Sequence, residues 1–198
     1  MNYSSVLLLL VIAISTGCSI TPKQQQAALH DFGAPYSRHD SGQSIKPAVT
    51  VTAPKWLWDN RIRYRLLYAA PTQVRFYALD RWIAAPPELL EQQLADDTKS
   101  LDYLLNIRLL DFEQQFESSD RARVVMRFYL EAYAPDNKVL LGAHEFHLEQ
   151  ATQTPDASGA VTAFAELVQQ AEDRIQAWLA RLPGTAKGNG RSGISSAL

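Results

Sequence analysis

Arg121-Ala122-Arg123-Val124-Val125-Met126-Arg127-Phe128-Tyr129-Leu130-Glu131-Ala132-Tyr133 decides the fold class. Ala122, Val124, Met126, Phe128, Leu130 and Ala132 fall at every second place, and Arg121, Arg123, Arg127, Glu131 and Tyr133 fall between them. A strand sends alternate side chains to opposite faces, so the apolar set shares one face and the charges share the other. The stretch therefore predicts a long strand with one buried face. Pro135-Asp136-Asn137 marks a turn after it, and Val139 to Leu148 reads as a returning last strand.

Upstream, a second long strand starts at Leu101, with Tyr103, Leu105, Ile107 and Leu109 in phase. The apolar set then slips by one to Leu110, Phe112 and Phe116, the signature of a β-bulge. Ile62, Tyr64, Leu66 and Tyr68 alternate with Arg61, Arg63 and Arg65. Ala70-Pro71-Thr72 reads as the turn into a strand with Val74, Phe76 and Ala78 on one face and Arg75 and Tyr77 on the other, which makes a hairpin. Val49-Thr50-Val51 is a short first strand stopped by Pro54.

Two segments change to helical spacing. Pro86-Pro87 suits a first helical turn, because proline fixes φ and gives up an amide that has no partner there, and Leu89, Leu90 and Leu94 follow as a stripe. From about Ser158, Val161, Phe164, Ala165, Val168, Ala171, Ile175, Trp178, Leu179 and Leu182 form a second stripe that Pro183-Gly184 ends. The expected fold is α+β: a single mixed, mainly antiparallel β-sheet with two helices packed on one face. Trp82, just ahead of Pro86-Pro87, is expected to fix the crossing from hairpin to first helix.

The apolar run Val6 to Ile14 is too short for a bilayer core that needs roughly 20 residues, and it reads as the hydrophobic part of a signal peptide. Ser15-Thr16-Gly17 then precede Cys18, the single cysteine of the chain, which is the pattern of a lipobox. A lone cysteine in a secreted chain makes no internal disulfide and calls for a chemical task. Lipidation supplies one: at about 0.8 kcal/mol per buried methylene, several acyl chains on Cys18 hold the protein on a membrane. Ser19, where an Asp would signal retention in the inner membrane, favours the outer membrane with the domain facing the periplasm. The expected organisation is a signal peptide over 1–17, a lipidated N-terminus and tether over 18–44, the α+β domain over 45–183 and a Gly-rich disordered tail over 184–198.

The formal charge is −2, from 19 basic and 21 acidic residues, so no global field attracts nucleic acid. His144 and His147 stand at an odd separation, which on a strand puts them on opposite faces and prevents shared metal ligation. His30 and His39 fall in the tether, no Gly-x-Ser-x-Gly elbow is present, and Asp96-Asp97 and Glu172-Asp173 fall on solvated helix positions. No catalytic residue, metal site or cofactor is expected. The unusual feature is arginine. Arg61, Arg63, Arg65 and Arg75 on the hairpin and Arg121, Arg123 and Arg127 on the later strand all point away from the apolar set. They form either a solvated face paired with Glu117, Glu131, Glu145 and Glu149, or a docking face for an acidic partner or lipid headgroups.

Ala53-Pro54-Lys55-Trp56-Leu57, Arg61-Ile62-Arg63-Tyr64-Arg65-Leu66, Val74-Arg75-Phe76-Tyr77-Ala78 and Arg81-Trp82-Ile83-Ala84-Ala85-Pro86-Pro87-Glu88-Leu89-Leu90 resemble, in this order, the ABC-type transport auxiliary lipoproteins, which include the PqiC-like lipoproteins. His30-Asp31-Phe32-Gly33, Asp111-Phe112-Glu113-Gln114-Gln115-Phe116 and Ala177-Trp178-Leu179 are similar to the same family. The resemblance implies a mixed-sheet α+β domain working beside an MCE-domain protein with its ABC permease and ATPase. Such systems move phospholipids or other hydrophobic molecules between inner and outer membranes. The resemblance implies no enzymatic activity, leaves room for contact with phospholipid and for a homo-oligomer, and turns Ala27 to Phe32 from tether into an edge strand. It also makes Asp96 to Ser100 look brief, so that a strand between helix and long strand is missing. The competing expectation is an outer-membrane lipoprotein that activates or scaffolds a cell-envelope enzyme.

Overall fold

The computed structural model describes residues 25–33, 47–95, 103–136 and 139–182. Cys18, His39, most of the arm, the brief segment Asp96 to Ser100, Leu101 and the tail from Gly184 lie outside the described residues. In chain order the elements are β1 (Ala28–His30), β2 (Pro47–Thr52), a 3-10 turn (Lys55–Leu57), β3 (Arg61–Leu66), β4 (Ala70–Trp82), α1 (Pro86–Leu94), β5 (Tyr103–Phe116), β6 (Ala122–Tyr133), β7 (Leu140–Ala151) and α2 (Ala157–Leu179). The seven strands form one mixed sheet in the order β1-β4-β3-β5-β6-β7, with β2 paired to β5. Both helices pack on it, so the fold is α+β. The edge strand over Ala27 to Phe32 is present as β1.

β5 is the spine. β6 pairs antiparallel with it from Leu104 to Phe116 and β7 continues antiparallel beyond β6. β2 runs parallel to β5 along Tyr103–Arg108, and β3 runs parallel to it along Gln114–Phe116. The chain leaves β5 between these pairings. Pro54, which has no amide to donate to a ladder, opens that exit, and the 3-10 turn closes with Leu57 N donating to Pro54 O at 2.9 Å. The expected bulge is where the phase shift put it: the register steps from Leu109↔Phe128 to Asp111↔Arg127, leaving Leu110 as the extra residue. Its effect is to keep Leu109, Phe112 and Phe116 on the core side while aiming Asp111, Glu113 and Gln115 outward.

On the helix side, Trp82 is the centre of an aromatic cluster. Its ring lies 5.4 Å from Phe32, 5.9 Å from Phe112 and 5.7 Å from Phe164, tying β1, β4, β5 and α2 together. A buried polar relay fastens the start of α2. Tyr77 donates its hydroxyl to Gln114 at 2.6 Å, and Gln114 Nε2 donates to the Asp156 carbonyl at 3.3 Å. Burial raises the Tyr77 phenol above its ordinary pKa, so it stays a donor. Asp156 caps α2 by accepting from Gly159 N at 2.8 Å, and Gly159 is required there because a Cβ would come within 2.1 Å of the Thr154 carbonyl. α1 is tied on both sides: Glu91 accepts from Val51 N at 2.7 Å and Gln93 donates to Glu172 at 3.1 Å.

The hairpin differs from its expected outline. β3 ends at Leu66, which pairs with Ala70, so the turn is 67–69 and Ala70-Pro71-Thr72 already belongs to β4. Tyr68 is exposed in that turn instead of continuing the strand.

Candidate functional site: the charged face of the sheet

The helix-free face gathers the arginines, and strand order determines what they meet. β5 lies between β3 and β6. The two arginine rows therefore do not adjoin; they flank the row Asp111, Glu113 and Gln115 that the bulge turned outward. Arg65 of β3 grips Glu113 with two bonds, Nε to Oε1 at 3.0 Å and Nη2 to Oε2 at 3.2 Å. Arg127 of β6 grips Asp111 from the other side at 2.8 and 2.7 Å and reaches Glu145 of β7 at 3.6 Å. Arg123 binds Glu117 closely, donates to Gln115 at 3.2 Å and approaches Glu149 at 3.2 Å, where His147 also sits 3.2 Å away. Arg121, 73% exposed, pairs with Glu117 at 2.7 Å. Arg61 turns back to Asp59 at 2.5 Å with its guanidinium 3.7 Å over the Phe76 ring.

Arg63 is the exception. It is buried at 9% exposure, with its guanidinium 4.4 Å over the Trp56 ring, Nη1 donating to the Trp56 carbonyl at 3.2 Å and Nη2 3.9 Å from Glu113. Glu113 is itself buried at 6%. Burial pushes the Arg63 pKa down, with the neighbouring Glu113 charge opposing that shift. The hydrogen bonds from Arg65 to Glu113 push the Arg65 pKa up. Both remain cations at working pH.

The expectation that all seven arginines share this face fails at Arg75. In register, Arg65 stands opposite Val74 and Tyr64 opposite Arg75. Cross-strand partners share a face, so Arg75 lies with Tyr64 and Tyr77 on the other side, where it donates to Gln73 at 2.8 and 3.0 Å. Val74 and Phe76 take the outward face. Glu131 also departs from the expected pairing, since it accepts from Tyr133 at 3.1 Å. Glu117, Glu145 and Glu149 pair with arginines as expected; of two further partners that sequence reading did not single out, Glu113 is held through both oxygens by Arg65, and Asp111 through Oδ2 alone by Arg127. The signal was the bulge, whose shift of phase sends those two carboxylates outward.

Six guanidinium groups, of Arg61, Arg63, Arg65, Arg121, Arg123 and Arg127, thus meet six carboxylates, of Asp59, Asp111, Glu113, Glu117, Glu145 and Glu149, while Arg81 opposite Arg61 and Arg108 opposite Tyr129 share the same face. The pairs link β3, β5, β6 and β7 across the face through alternating charge. His144 stacks on Trp178 and meets Phe146 edge-on on the helix side while His147 meets Glu149 outside, so the two imidazoles are on opposite faces. Among the described residues no group of three or more His, Cys, Asp or Glu could hold a metal ion, and no helix is long and apolar enough to cross a membrane.

The domain is similar in fold to a Xanthomonas campestris protein of the DUF330 family, whose crystal structure superposes with a TM-score of 0.62 at 14% identity, over 77% of this chain and 94% of that one. A crystal structure of an uncharacterized protein is similar to the same degree, with a TM-score of 0.61 at 15% identity, over 78% of this chain and 99% of that one. No family model matches the chain, and no curated protein matches it. At these identities the likeness concerns the fold.

Proposed function

We propose that this chain is a lipoprotein anchored through Cys18 to the periplasmic side of the outer membrane. There it acts as the auxiliary component of an MCE-type ABC system that moves phospholipids or other hydrophobic molecules between the two membranes. The observation that carries the reading is the placement of the family-like motifs on consecutive parts of one fold. Ala53 to Leu57 makes the exit from β5, Arg61 to Leu66 is β3, Val74 to Ala78 lies in β4, Arg81 to Leu90 makes the crossing into α1, and Asp111 to Phe116 is the half of β5 beyond the bulge. The shared architecture with a DUF330 protein supports the same reading, since that family holds the PqiC-like proteins. The role is one of binding and assembly, not catalysis. Arg61, Arg121 and Arg127, which are more open than Arg63, are the arginines of this face best placed to reach an MCE-domain partner; Arg63 is engaged in packing.

Two measurements test this. Labelled palmitate should enter the wild-type protein and not the Cys18→Ser variant, which should leave the membrane fraction; equal labelling of both sinks the anchor. Capture of the detergent-solubilised wild-type protein should retain an MCE-domain protein with its permease and ATPase. Retention of a cell-wall synthase in their place would turn the assignment to the activator class.

A further inference from the structure

The edge of the sheet that the N-terminal arm enters is also its most openly apolar edge. Leu29 and Ile83 are each 60% exposed and Leu79 is 41% exposed; the first two are the most exposed large apolar side chains among the described residues. They are held on a ladder and not on a loose loop. Leu29 stands opposite Arg81 in the β1–β4 pairing, and Ile83 N donates to the His30 carbonyl at 2.8 Å. His30 and Asp80 meet at 2.9 Å across the same two strands, and Phe32, buried against Trp82, locks the end of β1 to the core. A shallow groove beside the edge is lined by Leu29, Phe32 and Ile83 and, from α2, by Val161, Thr162 and Ala165.

Nine residues, 19–27, separate Cys18 from the first residue of β1. Such an arm reaches at most about 35 Å. A domain of this size has a radius of gyration of about 14 Å, so its diameter is comparable to the arm's full reach. With lipid on Cys18 the arm keeps the β1 edge within that reach of the bilayer, while β7 stands at the far end of the strand order. We propose that the edge formed by Leu29, Leu79 and Ile83 seats on the lipid surface that holds the Cys18 anchor, an inference that rests on the lipoprotein reading above. Two or three aliphatic side chains partition into a bilayer weakly alone, but a short tether raises their effective concentration at the surface. Arg81, in register beside Leu29, stands where headgroup phosphates would meet it.

The test uses the full, lipidated protein in vesicles of phosphatidylethanolamine and phosphatidylglycerol doped with nitroxide-labelled lipid. Acylation blocks Cys18, so Ile83→Cys or Glu145→Cys supplies the single free thiol for an environment-sensitive fluorophore. Circular dichroism confirms folding, and mass spectrometry confirms the lipid. The label at position 83 should be quenched severalfold more than the label at 145 on β7, and Leu29→Asp should bring the two together without releasing the protein. Equal quenching in protein proved to be lipidated overturns the seating and leaves the lipoprotein reading intact. Absence of lipid on Cys18 overturns both. A label at 83 that ignores lipid and responds to added MCE-domain protein overturns the seating by assigning the edge to a protein partner.

Discussion

The two faces of this one sheet are held by different physics. The helix side is closed by aromatic packing around Trp82 and a few polar ties, whereas the outer side is closed by guanidinium–carboxylate pairs across β3, β5, β6 and β7. Apolar burial is non-directional and roughly proportional to area, so the first face resists loss of volume. Charge pairs in water contribute little, and they contribute much only where solvent is excluded. The outer face contains both regimes, with Arg63 and Glu113 buried and the Arg121 and Arg127 pairs open. A charged surface is thus not one object: its stabilising part is the portion Trp56 and the neighbouring strands cover.

The largest effect belongs to the helix side. Trp82→Ala should lower stability by about 3 to 5 kcal/mol, because the fully buried ring contacts three others and a helix cannot collapse into the space. Urea denaturation followed by circular dichroism measures it. A cost below about 1 kcal/mol, within the range of surface changes, would break the comparison at its stronger end.

Much of this division could be read from residues alone, and the failures have a common cause. Alternation in Ala122 to Tyr133, the slip at Leu110 and the Pro86-Pro87 start are local signals, and each lies where it was expected. The burial of Arg63 was not legible, since it depends on Trp56 folding back from a turn that sits between two parallel pairings to β5. The side taken by Arg75 runs against the local pattern, in which Val74, Phe76 and Ala78 are more apolar than Arg75 and Tyr77. Yet Tyr64, on the core side of β3, fixes the face of its partner strand through register. Parity within a strand follows from its sequence; the neighbour that each row meets depends on long-range strand order. For the same reason no single stretch of sequence tells whether the two arginine rows adjoin, and the β5 carboxylates stand between them.

Next in size is Glu113→Ala, at about 3 kcal/mol, the low end of what stranding a buried charge costs. It leaves the Arg63 guanidinium without its counter-charge and removes both bonds from Arg65. Restoring shape without charge by Glu113→Gln should recover part of the loss. If Glu113→Ala proved as mild as an exposed change, the buried and open pairs of the outer face would be energetically alike, and the distinction drawn between them would fall. Below it stands Asp156→Ala, at about 1 kcal/mol for loss of an N-cap. The Asp156 carboxyl is held below its ordinary pKa, first by the Gly159 amide and then by the Thr154 hydroxyl. A depressed folded-state pKa means that this contribution is present above the ordinary carboxylate value and is lost as pH falls through the folded one. The wild type and Asp156→Ala should therefore converge in melting temperature in acid and separate toward neutrality.

The smallest effect should come from Arg127→Ala. Its guanidinium makes two short bonds to Asp111 and reaches toward Glu145, and a tally of contacts would rank it beside Arg65. Solvent reverses that ranking: Arg127 and both partners are well exposed, so water and salt screen the attraction and holding long side chains in place costs entropy. A change within about 1 kcal/mol is expected at low salt, shrinking further as ionic strength rises. The informative form is a double-mutant cycle of Arg127→Ala with Asp111→Ala beside one of Arg65→Ala with Glu113→Ala, each followed by urea denaturation across a salt series. The first coupling should be small and salt-sensitive, the second larger and nearly indifferent to salt, because Glu113 is shielded from the ions that reach Asp111. Equal couplings with equal salt response would mean that burial makes no difference on this face, and that bond geometry governs it.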